Sequence, residues 1–352
     1  MKKSIFIISI LCIVFSFKPY AQKKISVQSG NNTSFYATVD SAVLNAQNGD
    51  IIYIPGGSYV ISSLSINKGV QIFGAGHYPD STAATGQTIL TGDVRILSGA
   101  DNGSISGCNI LGNVFFGTNV GDQTVNNFGI SRCKMNSLHI SHDGQATTNS
   151  SNIYISENVI LGNVFGGNCI NTLYKKNIIN GLLHAHSASV FENNIMLISG
   201  GACYVYFLNS VNGCIFDNNI LSFANGGCGV FFFNNSVGNI FNNNLFREVE
   251  ASYFPNGTNL QFNNFFGFVA SDVFNGGTGF IFSYNEDYHM LPTCVAHNGG
   301  TDGTDPGIYG TSDPYKEGAV PANPHIRTKN IAGATNAQGD LSIDIKVAAQ
   351  AE

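Results

Sequence analysis

The chain has 352 residues, 43% of them hydrophobic and only 11% charged, with a formal net charge of −6. The charged fraction is less than half the usual quarter, so the chain reads as ordered and globular, with enough length to bury a sizeable core. No concentrated basic patch is present, which argues against a nucleic-acid partner, since a duplex binder needs clustered Lys and Arg to displace counterions; 41 Gly, about 43 Asn and no Trp likewise disfavour long helices and coiled coils.

The first segment, MKKSIFIISILCIVFSFKPYAQ, has two Lys directly after the start, an apolar run from Ile5 to Phe17, and the small residue Ala21 before Gln22. It predicts a secretory signal peptide over residues 1–21, and hence a secreted mature chain in the periplasm, at the cell surface or outside the cell. The run is too short to span a bilayer comfortably, and no later segment approaches the length of a membrane span, so no stable membrane insertion is expected. Residues 22–48 follow, and in FYATVDSAVLNAQNGD the apolar residues Phe35, Val39, Ala42, Val43 and Ala46 fall on one helical stripe.

From residue 49 to about 290 the text repeats around an Asn: GCNIL at Asn109, ENVIL at Asn158, KNII at Asn177, NNIML at Asn194, NNILS at Asn219, NNLF at Asn244 and NNFF at Asn264, with Lys134 filling the gap after Asn109. Each repeat is 17 to 25 residues long. Three residues before the marker stand Ile155, Tyr174, Phe191, Phe216 and Phe241; one after it stand Ile110, Met135, Val159, Ile178, Ile195, Ile220 and Leu245. Between them, two before the marker, lie Arg132, Ser156, Lys175, Glu192, Asp217 and Asn242. Strand side chains alternate between faces, so both apolar columns are expected to point inward and the polar column outward, with one strand per repeat stacked in parallel. The marker Asn fits a turn, where it tolerates the left-handed conformation and its amide bonds the Asn above and below.

With these repeats the chain resembles the right-handed parallel β-helices of the pectin-lyase-like superfamily. The helical stripe resembles the amphipathic helix that caps the first coil there, and NGDIIYIPGGSYVI and LSINKGVQIFGAG resemble its first two coils. DGTDPGIYG near the end resembles a closing motif of secreted bacterial β-helix proteins. The resemblance, over about residues 25 to 310, implies an all-β solenoid with a short N-terminal capping helix and a C-terminal tail. Residues 291–352, where the repeat stops and Pro292, Pro306, Pro314, Pro321 and Pro324 appear, read as a C-terminal cap or tail in which DLSIDIKVA forms one late strand.

Seven Cys follow the signal segment. Cys108 and Cys133 are 25 residues apart, as are Cys203 and Cys228, so each pair stacks on neighbouring repeats. A disulfide is geometrically allowed, but stacked buried thiols are favoured, because parallel Cβ vectors suit a bridge poorly. No CxxC or Cys-His spacing points to a metal.

Parallel β-helix enzymes usually cleave acidic or neutral polysaccharides, so the resemblance implies a polysaccharide partner. The polygalacturonase-type hydrolases carry paired Asp, Gly-His-Gly and Arg-x-Lys; here no two Asp are adjacent, the nearest text to the second is AGHYPD around His77, and of the three motifs Arg-x-Lys alone is present, as Arg132-Cys133-Lys134. The Arg-x-Pro-x-x-Arg context of pectate lyases is missing. The best catalytic constellation is the outward column: Glu192 and Asp217 as paired carboxylates, with Lys175 and Arg132 beside them as cations or as a base for proton abstraction next to a uronate. The alternative is a solvated face of alternating charges. His139 and His142 in LHISHDG, with Asp143, and His184 and His186 in LLHAHSA, form a second group for binding or general-base work. Asp302 and Asp305 in TDGTDPG offer oxygens to Ca²⁺, though a plain turn explains them as well. Sugar platforms fall to Tyr204, Tyr206, Tyr253, Tyr284 and Tyr288. Two functions stay open: a polysaccharide lyase or glycoside hydrolase with an atypical site, and a non-catalytic, adhesin-like binding platform. They differ in whether Arg132, Lys175, Glu192 and Asp217 line a walled groove or lie on an open face.

Overall fold

The computed structural model describes residues 24–118, 121–140, 150–167, 169–198, 206–223, 231–247, 258–276 and 281–349. The expected signal segment lies outside them, as do His142, Asp143, Cys203, Tyr204, Cys228 and Tyr253. Among the described residues no helix is long and apolar enough to cross a membrane.

The fold is nearly all β, built on long parallel sheets. The first sheet has twelve strands: it opens with Asn32–Tyr36, Ile25–Ser29 and Ile51–Tyr53 paired antiparallel and then runs parallel from Ile51–Tyr53 through Gln71–Phe73, Ser104–Ser106, Gly129–Ser131, Tyr154–Ser156, Leu173–Lys175, Val190–Glu192, Ile215–Asp217 and Ile240–Asn242 to Leu260–Phe262. Each repeat then contributes further short strands to a second parallel array. One line of it runs through Lys134–Met135, Val159–Ile160 and Ile178–Ile179 to Phe265–Phe266, and another through Val114–Thr118, Leu138–His139, Val164–Phe165 and Leu183–His184. A complete repeat therefore holds three short strands where the spacing predicted one: two- and three-residue strands are too brief to show an alternation of their own.

The helix Val39–Asn45 lies against the start of this stack, with Val39, Ala42 and Val43 buried and Thr38 Oγ1 accepting the Ser41 N–H as N-cap. Lys68 closes the other end, its Nζ donating to the carbonyls of Val43, Leu44 and Ala46 at 3.3, 2.6 and 2.8 Å, where the helix dipole favours a cation. Phe35 departs from the expected stripe; it stands on the strand Asn32–Tyr36 and is exposed.

Inside, Ile155, Tyr174, Phe191, Phe216 and Phe241 are fully buried, as the spacing predicted, and the register adds Ile105 and Ile130 to the same column. Tyr174, Phe191, Phe216 and Phe241 stack face to face with centroids 4.5 to 4.6 Å apart. Burying each such ring contributes about 2 kcal/mol.

The second apolar column is corrected by the register. Lys134 pairs with Val159 and Met135 with Ile160, so Asn109 and Lys134 align with Val159 rather than with Asn158. Cys108 and Cys133 align with Asn158, and Cys133 N–H donates to Asn158 Oδ1 at 2.9 Å. Ile110, Met135, Ile160, Ile179, Met196, Leu221 and Phe246 face inward, whereas Val159, Ile178, Ile195, Ile220 and Leu245 stand in the alternate column and belong to a second apolar cluster.

That outer cluster is completed by the C-terminal segment. Phe268, Val273, Phe274, Phe282, Tyr288, Cys294, Ala296, Ile308 and Tyr315 cover the outward column. Beyond it, His325–Ile331 and Ile343–Ala348 form a separate antiparallel hairpin, so the expected single late strand has a partner.

The corner after each strand of the first sheet has a fixed recipe. One residue adopts positive φ: Gly107, Arg132, Glu157, Lys176, Asn193, Asn218, Asn243 and Asn263, at 50° to 72°. The next residue in the later repeats is an inward Asn. Asn158, Asn177, Asn194, Asn219 and Asn244 each donate Nδ2 to the Oδ1 of the next ladder Asn at 2.9 to 3.1 Å. Each also donates to a strand carbonyl of the preceding repeat, as Asn194 does to Tyr174 O at 2.9 Å. Cys108 and Cys133, at the same position, are free buried thiols.

Asn194→Ala removes two donated bonds and strands the Asn177 amides that it accepts. It should lower stability by about 3 kcal/mol, read from the urea midpoint. Asn242→Ala, which removes one partly exposed bond to Asp217, should cost about 1 kcal/mol.

Candidate functional site

The outer face of the first sheet carries two columns. Phe73, Ser106, Ser131, Ser156, Lys175, Glu192, Asp217, Asn242 and Phe262 form one; Ser104, Gly129 and Tyr154 lie in the other. Ser131 Oγ donates to Ser106 Oγ at 3.0 Å. A groove of about 380 Å³ opens over the first part of this face. Its floor is Phe73, Ser104, Ser106, Ser131, Ser156 and Tyr154; Lys175 and Lys176 close one end, and Asp313 and Ala322 of the C-terminal segment belong to its wall.

Arg132 lines this groove but not in the expected column. It occupies the left-handed corner, aligned with Glu157 and Lys176, while Ser131 takes the strand position beside Ser156. Its Nε bonds Glu157 Oε2 and its Nη1 donates to Val320 O at 3.0 Å, all buried. Glu157 Oε1 accepts the Lys316 N–H at 3.3 Å. Lys176 is 2% exposed, with Nζ 3.5 Å from Asp313 Oδ2, and burial depresses its pKa. Asp313 also meets Lys316 Nζ at 2.8 Å.

The corner residues farther along do the same with neutral groups. Asn193 donates to Gly307 O at 3.1 Å, Asn218 Nδ2 to Thr301 Oγ1 at 2.8 Å, and Asn243 to Gly299 O at 2.7 Å. A Cβ at Gly107 would lie 2.3 Å from Pro321. The corner column thus docks the C-terminal segment, which runs back along it from Gly299 to Pro321. Arg, Glu and Lys in this conformation cost about 1 kcal/mol each, and the three that accept that cost are those whose charges hold the segment.

Lys175 pairs with Glu192 at 3.1 Å, and Asp217 accepts from Asn242 at 2.7 Å. Burial, with the Glu192 charge adding, raises the Asp217 carboxyl above its ordinary range. Glu192 and Asp217 continue the column beyond the groove, so the structure brings Arg132 and Lys175 into one concavity and leaves the carboxylate pair outside it.

The histidines separate too. His139 and His184 stand on the other array, in a ladder Phe115, His139, Phe165, His184 with ring centroids 4.5 to 4.8 Å apart. Burial lowers the His184 pKa. His186, expected on a surface turn, is in the core, 1% exposed, edge-on to Tyr174 and Phe191, with Nε2 3.3 Å from Val164 O. A Cβ at Gly166 would meet its ring at 2.2 Å, so only Gly fits there. Asp302 accepts from Thr304 N and Oγ1, and Asp305 from Asn298 N; both carboxylates brace their own turn. No group of three His, Cys, Asp or Glu able to hold a metal occurs among the described residues. Tyr206 lies on a strand paired with Phe231, Tyr288 is buried, and Tyr284 belongs to a separate pocket.

Ser106, Ser131, Tyr154, Glu157 and Lys176 were not singled out from the sequence; Ser156 was, in the outward column. Ser106, Ser131 and Ser156 do recur every 25 residues, a signal that the off-by-one register of the first repeats concealed. No protein-family model matches the chain, and no curated protein sequence matches it.

Glu157→Gln leaves Arg132 buried without its counter-charge and should cost about 3–5 kcal/mol in a urea melt, whereas the double change Arg132→Met with Glu157→Leu should be closer to neutral. Acid should also destabilise the fold. Burial depresses His77 and His186 to about 3, against 6.5 when free. Their contribution is complete above pH 6.5 and is lost as pH falls towards about 3. Each adds about 1.4 kcal/mol per pH unit in that window, and His186→Gln should flatten the slope accordingly.

Proposed function

We propose that the chain is a right-handed parallel β-helix of the pectin-lyase-like type, exported from the cell, and that it binds an extracellular polysaccharide along the groove on the first sheet as a non-catalytic platform. The observation that carries this reading is the groove itself. Its floor repeats at the strand spacing of about 4.8 Å and presents hydroxyls from successive repeats, with Phe73 and the half-exposed ring of Tyr154 as apolar surfaces for sugar rings. A linear polymer of hydroxylated rings suits a site that is itself a linear repeat.

Binding is favoured over catalysis by how the charges are used. Arg132 is paired with Glu157, Lys176 with Asp313 and Lys175 with Glu192. A general acid and base must be able to exchange protons with a substrate between them, and these groups are engaged with one another. One observation favours a second reading: Asp217, with a raised pKa beside Glu192, is the arrangement that an acid–base pair uses.

Affinity electrophoresis of the mature protein through gels containing soluble polysaccharides tests both. Retention by at least one acidic or neutral polymer is expected, weakened about tenfold, or about 1.4 kcal/mol, by Tyr154→Ala. Phe262→Ala, at the far end of the same face, should leave it unchanged. Equal retention of the Tyr154 variant overturns the groove as the site. Release of reducing ends or of an unsaturated product, abolished by Asp217→Asn, establishes the catalytic reading instead.

A further inference from the structure

A second concavity lies where the C-terminal segment meets the loop at Tyr78–Ser81, and it is unlike the groove. It encloses about 280 Å³ and is lined by Tyr78, Tyr284, Tyr288, Tyr309 and Tyr315, with Asp80, Glu286, Asp287 and Glu317 among them and Ile178 and Ile308 completing the apolar surface. The lining holds four carboxylates and no Lys or Arg.

The rings are set as walls. Tyr78 and Tyr284 meet at 74° with centroids 4.7 Å apart, and Tyr309 and Tyr315 meet at 83° with centroids 6.0 Å apart. Perpendicular rings around one void offer faces as well as edges to an occupant, and an aromatic face is the negative end of the ring quadrupole. The site already uses that property: Lys134 Nζ lies 5.0 Å over the Tyr284 ring. His289 stacks on Tyr309 at 3.6 Å and bonds Asp287 at 2.7 Å, orienting both side chains. Tyr315 is 4% exposed, its ring packed edge-on to Tyr309.

We propose that this pocket binds an organic ammonium ion, such as a quaternary or primary alkylammonium group, held by cation–π contacts to the tyrosine faces and by the carboxylates at the rim. The chemistry separates this occupant from the alternatives. Four carboxylates line the pocket, Asp287 and Glu317 lying 2.7 and 4.0 Å from His289, and a neutral sugar gives no reason for such an excess of negative charge. A bare metal ion demands converging oxygen ligands, whereas no three acidic or His groups converge among the described residues. A desolvated cation over one aromatic face gains about 2 kcal/mol, and several faces with nearby carboxylates compound it.

Titration calorimetry of the mature protein with tetramethylammonium and with choline tests the proposal, with sodium chloride as the ionic-strength control. With no Trp and 14 Tyr, tyrosine emission gives a second readout. Saturable binding is expected, at least about tenfold tighter for choline than for its neutral carbon analogue, 3,3-dimethylbutanol. Tyr309→Leu should weaken it at least as much, and Tyr309→Phe, which keeps the ring, should retain it. Glu317 is 71% exposed, so Glu317→Gln should fold normally and weaken binding several-fold; it keeps the test decisive if Tyr309→Leu fails to fold. Tyr154→Ala, in the groove, should bind choline as the parent does. No saturable signal, equal affinity for the neutral analogue, or undiminished binding by folded Glu317→Gln overturns the proposal.

Discussion

The corner that follows each strand of the first sheet is the feature on which the rest depends. There the chain must turn from one sheet into the next within two residues, once per repeat, while leaving no buried amide unpaired. One residue takes the left-handed conformation, which turns the backbone, and the next sends an amide inward. In the later repeats that amide is Asn, with a donor for the carbonyl of the previous repeat and an acceptor for the backbone and side-chain N–H groups of its neighbour in the ladder. A ladder of this kind is cooperative, because each member is oriented by two others. Where Cys108 and Cys133 replace the amide, the corner persists but the polar ladder does not.

The same corners decide what happens on the outside. A left-handed residue aims its side chain away from the core, so the stack displays one outward group per repeat in a straight file. Residues Arg132, Glu157, Lys176, Asn193, Asn218 and Asn243 use that file to hold the C-terminal segment. The segment in turn buries Val159, Ile178, Ile195, Ile220 and Leu245, which would otherwise form an exposed apolar stripe. Docking the segment is therefore required by the stack's own surface, and it creates both concavities: the groove wall at Asp313 and the tyrosine cage around Tyr309 and Tyr315.

This arrangement also explains why the most conspicuous charges are poor catalytic candidates. Arg132 and Lys176 are desolvated by the segment that they anchor, and a buried charge is tolerable only when paired. Their partners, Glu157 and Asp313, are committed for the same reason. The groove floor that stays accessible carries hydroxyls and aromatic rings, while Lys175, Glu192 and Asp217 stand partly exposed farther along the same face.

By itself the sequence determined the repeat, the parallel stacking, the inward ring column from Ile155 to Phe241 and the Asn ladder, because these depend on spacings within 25 residues and on side-chain properties that hold in any context. The capping helix was legible for the same local reason, apart from Phe35. The tertiary structure alone decided which of two adjacent apolar columns faces inward. Asn109 and Lys134 look like members of the Asn file, and only strand pairing shows them one residue out of step. It likewise decided that Arg132 stands at a corner and that His186 is buried. Above all, it decided that residues more than a hundred positions apart, such as Glu157 and Lys316 or Ile178 and Tyr309, share one surface. No local spacing records a segment that returns along the whole stack, since its contacts are fixed by what the finished stack leaves uncovered.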